Sequence, residues 1–291
     1  MVTPFKTLSL RPSKAPNLPI APVQYTQQYQ DQLLNALRLY FNQIDNFSQP
    51  LSTGSGGALI SFPYGAFHYD KTTALTSGIS NVATTPIPVT STTGFSTSGA
   101  ILIGTEIITY TALTSTTFAG TITRGAYGTS SSAHSAGDKV SSVLGTAANT
   151  ATPLYLNATD FDHGVTISGA SLTSKITFQY AGIYNVQFSA QLSNSASADD
   201  NVTIWVRQNG VDVPASAGVT SVPGKHGSIS GSIISAWNVF ISVNANDYVE
   251  LYWTTDGGTS VVATYPPSTT APIHPASPAL IVTASFVSAL Y

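Results

Sequence analysis

The sequence predicts a mainly β protein that begins with an extended arm and one short helix. Three observations support this fold class. Five prolines fall within the first 24 residues, and a single segment after them has helical periodicity. Beyond the Gly-rich stretch at 52–57, short apolar runs alternate with Gly, Asn, Asp and Ser. Most of the chain is therefore expected to form short antiparallel strands.

Composition excludes several classes of function. Charged residues make up 8% of the chain, its net charge is -3, and Lys and Arg do not cluster. The chain thus lacks the basic surface that binds nucleic acid or anionic lipid. The absence of cysteine excludes disulfides, thiolate zinc sites and a cysteine nucleophile. No apolar run has the length of a signal peptide or a membrane span, so we expect a protein made in the cytoplasm and not inserted in a membrane.

Residues 1–25 are predicted to form an extended docking arm, because prolines at this density prevent a helix and favour polyproline-like backbone. An amphipathic helix is predicted over residues 26–49. Its apolar positions are spaced by 4, 3, 4 and 3 residues, which leaves two interpretations open: a helix docked on another surface, or a short parallel bundle. The residues assigned to this assembly helix are Leu33, Leu37, Tyr40, Ile44 and Phe47.

Three regions follow the helix. Residues 50–77 are assigned to a linker that contains a candidate strand, GAFHYDKTTAL. Residues 78–147 are predicted to form a small β module with a hairpin turn at Gly104-Thr105. Residues 148–291 are assigned to a larger β domain, because apolar and polar side chains alternate strongly there, as they do in strands with one buried face.

The final run, ALIVTASFVSALY, is apolar on both faces of the strand it predicts. Both faces of such a strand must pack against other parts of a protein. We expect one face to pack within the chain and the other against a second copy of it. The candidate residues of this subunit interface are Leu280, Val282, Phe286, Leu290 and Tyr291.

Four motifs occur in order in the larger domain: QYAGIYNV, the Asn-Gly hairpin of WVRQNGVDV, NANDYVELYW and the final VTASFVSALY. This order resembles the tumour-necrosis-factor and complement-head jelly-roll superfamily. The resemblance implies a jelly-roll head that forms homotrimers, with its last strand near the threefold axis. If GAFHYDKTTAL and TPLYLNATDFDHGV are successive strands of that head, the small module is inserted between them; otherwise it precedes the head.

Two other regions resemble structural proteins of tailed bacteriophages. Residues 99–129 contain GAILIGTEIITY and later RGAYGT, which match a small phage module, and LPIAPVQYTQQYQDQLLNALRLYFNQIDN resembles the N-terminal anchor of virion proteins. These resemblances imply a trimeric, non-enzymatic virion protein, either a capsid decoration, a fibre or a spike. Residues 1–49 would bind other virion proteins, in the capsid or in the tail. The alternative is the tip of a tail fibre that binds host-surface glycan.

The stretch TRGAYGTSSSAHSAGDKV concentrates ionisable side chains. Arg124, His134 and Asp138 are residue types of a general-base or anion site. The three glycines of the stretch stand where turns need a positive φ, so the favoured interpretation is structural. In it, Arg124 braces backbone carbonyls and a His134→Ala substitution is nearly silent.

The remaining candidates are weaker still. The clusters DFDH (160–163) and ADDN (198–201) offer oxygen atoms suited to calcium, but both lack the ligand count and glycine of a calcium loop. No catalytic, cofactor or metal residue is therefore assigned, and bound calcium stays an open question. Tyr252 and Tyr265 are the candidate glycan contacts, since exposed tyrosine rings stack on sugars; burial between subunits is the other interpretation.

Overall fold

The computed structural model describes residues 16–52, 62–168, 172–268 and 273–290. The chain divides into two units, residues 1–62 and residues 63–291. Within the described ranges one helix accompanies twenty strands, which confirms the predicted mainly β class. The described part contains no helix that is long and apolar enough to cross a membrane.

The helix of the first unit, α1, spans Gln27–Ser52. Thr26 caps it, because the Tyr29 N–H donates to Thr26 Oγ1 at 3.3 Å. The helix predicted over 26–49 is confirmed, although it continues past Pro50 for two residues. Residues 16–25 form neither helix nor strand, and the first 15 residues of the predicted arm lie outside the described residues.

The assembly residues share one face of α1 and are each half-buried. They are Leu33, Leu37, Tyr40 and Ile44, whereas the side chain of Phe47 lies outside the described part. Apolar surface is not limited to this face, because the side chains of Leu34, Leu39 and Phe41 are largely exposed. The helix therefore carries apolar surface that a partner can cover, and its docking role stays a prediction.

The second unit consists of strands whose ladders are all antiparallel. The first eight are β1 (Tyr64–Tyr69), β2 (Thr72–Ala74), β3 (Ile87–Pro88), β4 (Gly99–Ile103), β5 (Glu106–Tyr110), β6 (Ala112–Leu113), β7 (Thr117–Ala119) and β8 (Lys139–Gly145). The others are β9 (Thr152–Pro153), β10 (Ala158–His163), β11 (Val165–Ile167), β12 (Ile176–Phe178), β13 (Gly182–Asn194), β14 (Asp200–Gln208), β15 (Val211–Asp212), β16 (Gly218–Val222), β17 (Gly231–Val243), β18 (Tyr248–Thr255), β19 (Ser260–Ala263) and β20 (Leu280–Ser288).

A ten-stranded sheet is built around β13. Its main path runs β10, β1, β20, β13, β19, β8, β4, β5, while β17 pairs with β13 and β2 with β8. β17 pairs along the whole length of β13. The opposite edge of β13 is shared by β20, along residues 183–190, and β19, along residues 192–194.

A seven-stranded sheet packs against the ten-stranded sheet. Its path runs β11, β12, β18, β14, β15, with β16 on β14 and β9 on β18. One apolar core lies between the two sheets and includes Tyr184 and Val186 of β13, Val202 of β14, and Leu251 and Trp253 of β18. The predicted alternation is confirmed, because these positions are the buried face of their strands.

The segment predicted as the small module lies between β1 and β10 along the chain. It has its own core, which includes Ile87, Ile103, Phe118 and Ile122, and a three-stranded sheet in the order β3, β7, β6. The predicted hairpin at Gly104-Thr105 joins β4 and β5. Because β8 pairs with both β4 and β19, this segment continues the ten-stranded sheet.

Candidate functional site

The stretch at 123–140 forms a closed polar cluster around Glu106. The Arg124 guanidinium donates from Nε to Glu106 Oε1 at 2.7 Å and from Nη2 to Oε2 at 2.8 Å. The backbone N–H groups of Gly125 and Ser132 each donate to the same carboxylate at 3.0 Å, and His134 Nε2 donates to Oε2 at 2.7 Å. Five donors therefore surround one carboxylate that is 0% exposed.

This cluster has the properties of a structural brace. Burial raises the pKa of Glu106, but the hydrogen bonds from Arg124, Ser132, His134 and Gly125 outweigh burial and lower the pKa to about 2. The carboxylate stays ionised at neutral pH and has no exposed surface with which to meet a substrate. The arrangement offers no general base, since the ionised group is already saturated with donors.

Arg124 has the bracing role that the sequence predicts. Its Nη1 donates to the carbonyl oxygens of Ser80 at 2.5 Å and Ala83 at 3.3 Å, and its Nη2 donates to that of Ser132 at 2.6 Å. The structure argues against the nearly silent His134→Ala substitution expected from the sequence, because the His134 side chain is buried and bonded to Glu106. Loss of a buried hydrogen-bond donor ordinarily costs stability, so we expect His134→Ala to be destabilising.

The glycines of the stretch occupy turns. Gly125, Gly128 and Gly137 have φ values of 60°, 76° and 90°, which non-glycine residues rarely adopt. The Asp138 carboxylate accepts the Ser135 N–H at 2.8 Å and lies 3.9 Å from His134 Nδ1. Asp138 thus closes a turn at the edge of the Glu106 cluster.

The ADDN cluster is a second structural carboxylate centre. Asp200 is buried at the start of β14 and accepts the Thr255 hydroxyl at 2.5 Å, the Gly257 N–H at 2.8 Å and the Ser260 N–H at 2.7 Å. Burial raises its pKa, but these hydrogen bonds outweigh burial and lower the pKa. Asp200 therefore ties β14 to the turn between β18 and β19, and its oxygen atoms are already occupied.

The DFDH cluster lies at the edge of the ten-stranded sheet. Asp160 Oδ2 is 3.1 Å from His68 Nδ1, and Asp70 Oδ1 is 3.2 Å from His68 Nε2. In the part of the chain that the structure describes, no three His, Cys, Asp or Glu residues converge in a way that suits a metal ion. The two clusters thus carry no assigned metal.

The interface candidates of the final strand differ in their exposure to solvent. Leu280 and Val282 point into the core of the same chain, where they are 1% and 0% exposed, so they are not available to a second copy. Phe286 is half-buried and its ring meets that of Tyr184 edge-on at 5.5 Å. Leu290 is partly exposed, and Tyr291 lies outside the described residues.

The opposite face of the same strand is uncovered and apolar. Ile281 and Val287 of β20 are 40% and 51% exposed, and Ile234 and Phe240 of β17 are each 60% exposed. Because β13 lies between β20 and β17, these side chains share the outward face of the ten-stranded sheet. The outward positions of these three strands carry no charged residue; they include Ile183, Asn185, Gln187, Ser189, Gln191, Ile234, Ala236, Asn238, Phe240, Ser242, Ile281, Thr283, Ser285 and Val287. We call this surface the uncharged face.

The two candidate glycan tyrosines lie on different sheets. Tyr265 follows β19 and lines a groove of about 290 Å³ together with Leu102 of β4, Ile107 of β5 and several serine side chains. Two of those hydroxyls, Ser195 Oγ and Ser230 Oγ, are 2.8 Å apart and bond to each other. Tyr252 belongs to β18 of the seven-stranded sheet, so the structure does not bring the two tyrosines together.

Tyr252 belongs to an aromatic patch on the solvent face of the seven-stranded sheet. It pairs directly with Trp205 of β14, and the two ring centroids are 6.0 Å apart. The Arg207 guanidinium carbon lies 4.3 Å from the Tyr252 ring centroid, a cation–π contact. The Asp212 carboxylate accepts the Trp205 indole N–H at 2.7 Å and lies 2.8 Å from Arg207 Nε. We name these four residues the Trp205 patch.

A second carboxylate borders the Trp205 patch. Glu250 pairs with Arg207 across the two strands, is largely buried, and accepts the Ser174 hydroxyl at 2.5 Å. Burial raises the pKa of the neighbouring Tyr155, and the nearby Tyr252 and Glu250 raise it further.

Trp205 and Arg207 were not assigned from the sequence. The signal that could have placed them on the solvent face is their alternation with the buried Val202, Ile204 and Val206.

No protein-family model matches this chain, and no curated protein matches it either.

Proposed function

We propose that the chain is a homotrimeric structural appendage of a tailed-bacteriophage virion, built on a jelly-roll head. The strand arrangement supports the jelly roll. Two antiparallel sheets pack face to face around one core, and successive strands change sheet at β12 to β13, β13 to β14, β16 to β17 and β17 to β18, as strands of a jelly roll do. The virion role rests on the sequence resemblance of residues 18–46 and 99–129.

The observation that supports self-association is the uncharged face, and the number of three copies rests on the sequence resemblance. Ile234, Phe240, Ile281 and Val287 are exposed there without a charged neighbour on β13, β17 or β20. Covering this face with a second copy removes apolar area from water, worth about 25 cal/mol per Å², and buries no unpaired charge, which would cost several kcal/mol. The amide and hydroxyl side chains that lie between these apolar residues would supply hydrogen bonds to the second copy. Within one chain, Asn238 Nδ2 already donates to Asn185 Oδ1 at 3.2 Å.

Light scattering on the full-length protein tests this proposal. We expect a mass three times 30.3 kDa, and a monomer for Phe240→Asp, because the substitution places a charge in the contact. Val219 of β16 is 70% exposed on the other sheet, so Val219→Asp is the matched control and should stay trimeric. A monomeric native protein, or a trimeric Phe240→Asp variant, contradicts the proposed interface.

The Trp205 patch favours a second candidate function, the recognition of host-surface glycan. Aromatic rings beside charged hydrogen-bonding groups form a surface suited to sugars, whose rings combine an apolar face with hydroxyl groups. Binding of the full-length protein to purified host envelope polysaccharide tests this function. Failure to bind any such polysaccharide leaves the structural role alone.

A further inference from the structure

We propose that the Trp205 patch is a saccharide site that takes a neutral sugar, with the Trp205 indole as its stacking platform. This inference rests on the second proposed function and assigns it a place, a ligand class and separate roles for the residues. Trp205 stacks on the apolar face of the sugar ring, and Asp212 and Arg207 bind its hydroxyl groups.

The patch concentrates residue types that are scarce in this chain. The sequence contains three tryptophans. Trp253 is fully buried in the core and Trp237 packs against the core beside Phe188, which leaves Trp205 as the indole of the solvent face. Residues 63–291 contain two arginines. Arg124 is hydrogen-bonded within the Glu106 cluster, and Arg207 belongs to the patch.

The side chains of the patch are held in place before a ligand arrives. Asp212 accepts the Trp205 indole N–H at 2.7 Å and forms an ion pair with Arg207, whose Nε lies 2.8 Å away. Arg207 in turn lies over the Tyr252 ring. Because these contacts already restrict the rotamers, binding costs less conformational entropy than it would at a set of free side chains.

The patch also keeps polar groups within reach of solvent. The Asp212 side chain is 62% exposed and that of Arg207 is 30% exposed. A carboxylate accepts hydrogen bonds from sugar hydroxyls and a guanidinium donates to them. Since Arg207 covers one face of Tyr252, the ring that remains for stacking is that of Trp205.

Charge selects a neutral sugar over an acidic one. Arg207 contributes one positive charge, whereas Asp212 and Glu250 contribute two negative charges. An acidic sugar would bring a third carboxylate next to these two, and like charges at this distance repel. A neutral sugar meets donors and acceptors without that penalty.

The groove at Tyr265 is the natural control site. Its hydroxyls are partly satisfied by each other, and Leu102, Ile107, Val261 and Ala263 supply apolar lining. It offers a tyrosine ring, but it lacks the carboxylate and guanidinium of the patch. A Tyr265→Ala variant therefore removes the other glycan candidate without touching the patch.

The test uses the full-length protein and immobilised polyacrylamide polymers that carry glucose, galactose, N-acetylglucosamine or glucuronic acid. We expect binding to at least one neutral polymer, and about tenfold weaker binding for Trp205→Ala and for Asp212→Asn. Tyr265→Ala should bind as the native protein does. Glucuronic acid polymer should bind at least about tenfold more weakly than the preferred neutral polymer. Unfolding midpoints of all variants confirm that the patch variants remain folded.

Three results overturn the proposal, and they separate it from the function on which it rests. Binding to a neutral polymer that Trp205→Ala and Asp212→Asn leave unchanged shows a glycan-binding protein whose site lies elsewhere. Preference for the glucuronic acid polymer contradicts the neutral class. Binding to none of the polymers, together with no binding to host envelope polysaccharide, removes the glycan function itself.

Discussion

Arg124 and Glu106 form a two-point ion pair in which Nε meets Oε1 at 2.7 Å and Nη2 meets Oε2 at 2.8 Å. The pair joins the start of β5 to the turns that follow β7. Arg124 also binds the carbonyl oxygens of Ser132 in those turns and of Ser80 in the loop between β2 and β3. One buried pair thus fixes three separate chain segments. The residues that look most like a catalytic site in the sequence therefore stabilise the segment that lies between β1 and β10.

Neutralising Glu106 should destabilise the protein strongly. Glu106→Gln keeps the shape of the side chain, but it leaves the Arg124 guanidinium buried without its counter-charge. We expect a loss of about 3–5 kcal/mol in the free energy of unfolding, measured by urea denaturation. Asp138→Asn is the matched control; it alters a half-exposed carboxylate in the same stretch and should cost less than about 1 kcal/mol. Equal losses in both variants would contradict the central role of Glu106.

His134→Ala should also destabilise the protein, by about 1–3 kcal/mol. The substitution removes a buried donor that lies 2.7 Å from Glu106 Oε2 and leaves a small cavity beside an ionised group. His226→Ala is the control, because His226 is exposed in the loop between β16 and β17. The unfolding midpoints of the two variants are compared by circular dichroism, and a native-like midpoint for His134→Ala would restore the silent substitution expected from the sequence.

Gly128 and Gly137 allow steric contact to be separated from backbone strain. Both have a positive φ, so alanine costs each about 1 kcal/mol of conformational strain. A Cβ at Gly128 would also lie 3.0 Å from the Ala196 nitrogen, whereas a Cβ at Gly137 has no neighbour within 4 Å. Thermal melts should therefore show a larger loss for Gly128→Ala than for Gly137→Ala. The same loss in both would mean that the turn after β7 does not press against residues 195–196.

Stability should fall as the solution is acidified. The pKa of Glu106 lies at about 2 in the folded protein against an ordinary value of 4.5, so its contribution is complete above pH 4.5 and is lost as the pH falls toward 2. The contribution at neutral pH is on the order of 3 kcal/mol. The lowered pKa of Asp200 acts in the same direction.

Urea midpoints measured from pH 7 to pH 2 test this dependence. The native protein should lose stability mainly below pH 4.5, and Glu106→Gln should lose less over the same interval because one of the two responsible carboxylates is absent. Parallel profiles for the native and variant proteins would show that other groups govern acid unfolding.

Deletion of residues 1–24 tests the docking arm. The uncharged face lies on β13, β17 and β20, so we expect the shortened protein to remain a soluble trimer that is no longer incorporated into virions. Incorporation is measured by immunogold labelling of assembled particles, with full-length protein as the positive control. Normal labelling after the deletion would place the attachment elsewhere in the chain.

Local pattern predicted the strands, but not the contacts between distant segments. Alternation is enough to place Val202, Ile204 and Val206 on one buried face. The contact of Glu106 with Arg124 and His134 depends on turns that bring together positions 18 and 28 residues apart. Local periodicity of the sequence does not predict contacts over such separations. The pairing of Trp205 with Tyr252 likewise requires the register of β14 against β18.

The final strand shows how a correct pattern led to a wrong choice of face. Its run of apolar residues does indicate two apolar faces, and both are present. Leu280 and Val282 point into the chain's own core, while Ile281 and Val287 point outward. When both faces of a strand are apolar, the sequence does not indicate which face packs on the chain's own core. That depends on the neighbouring strands of the sheet.

The position of β20 between β1 and β13 has a consequence for synthesis on the ribosome. Its two neighbours are made long before it, and Tyr69 of β1 lies beside Leu280 of β20 in the finished sheet. Until residues 280–288 emerge, β1 and β13 each present an unpaired strand edge, a template for pairing with other nascent chains. Completion of the sheet therefore waits for the translation of β20, and mispairing of the two strand edges is most favoured before that point.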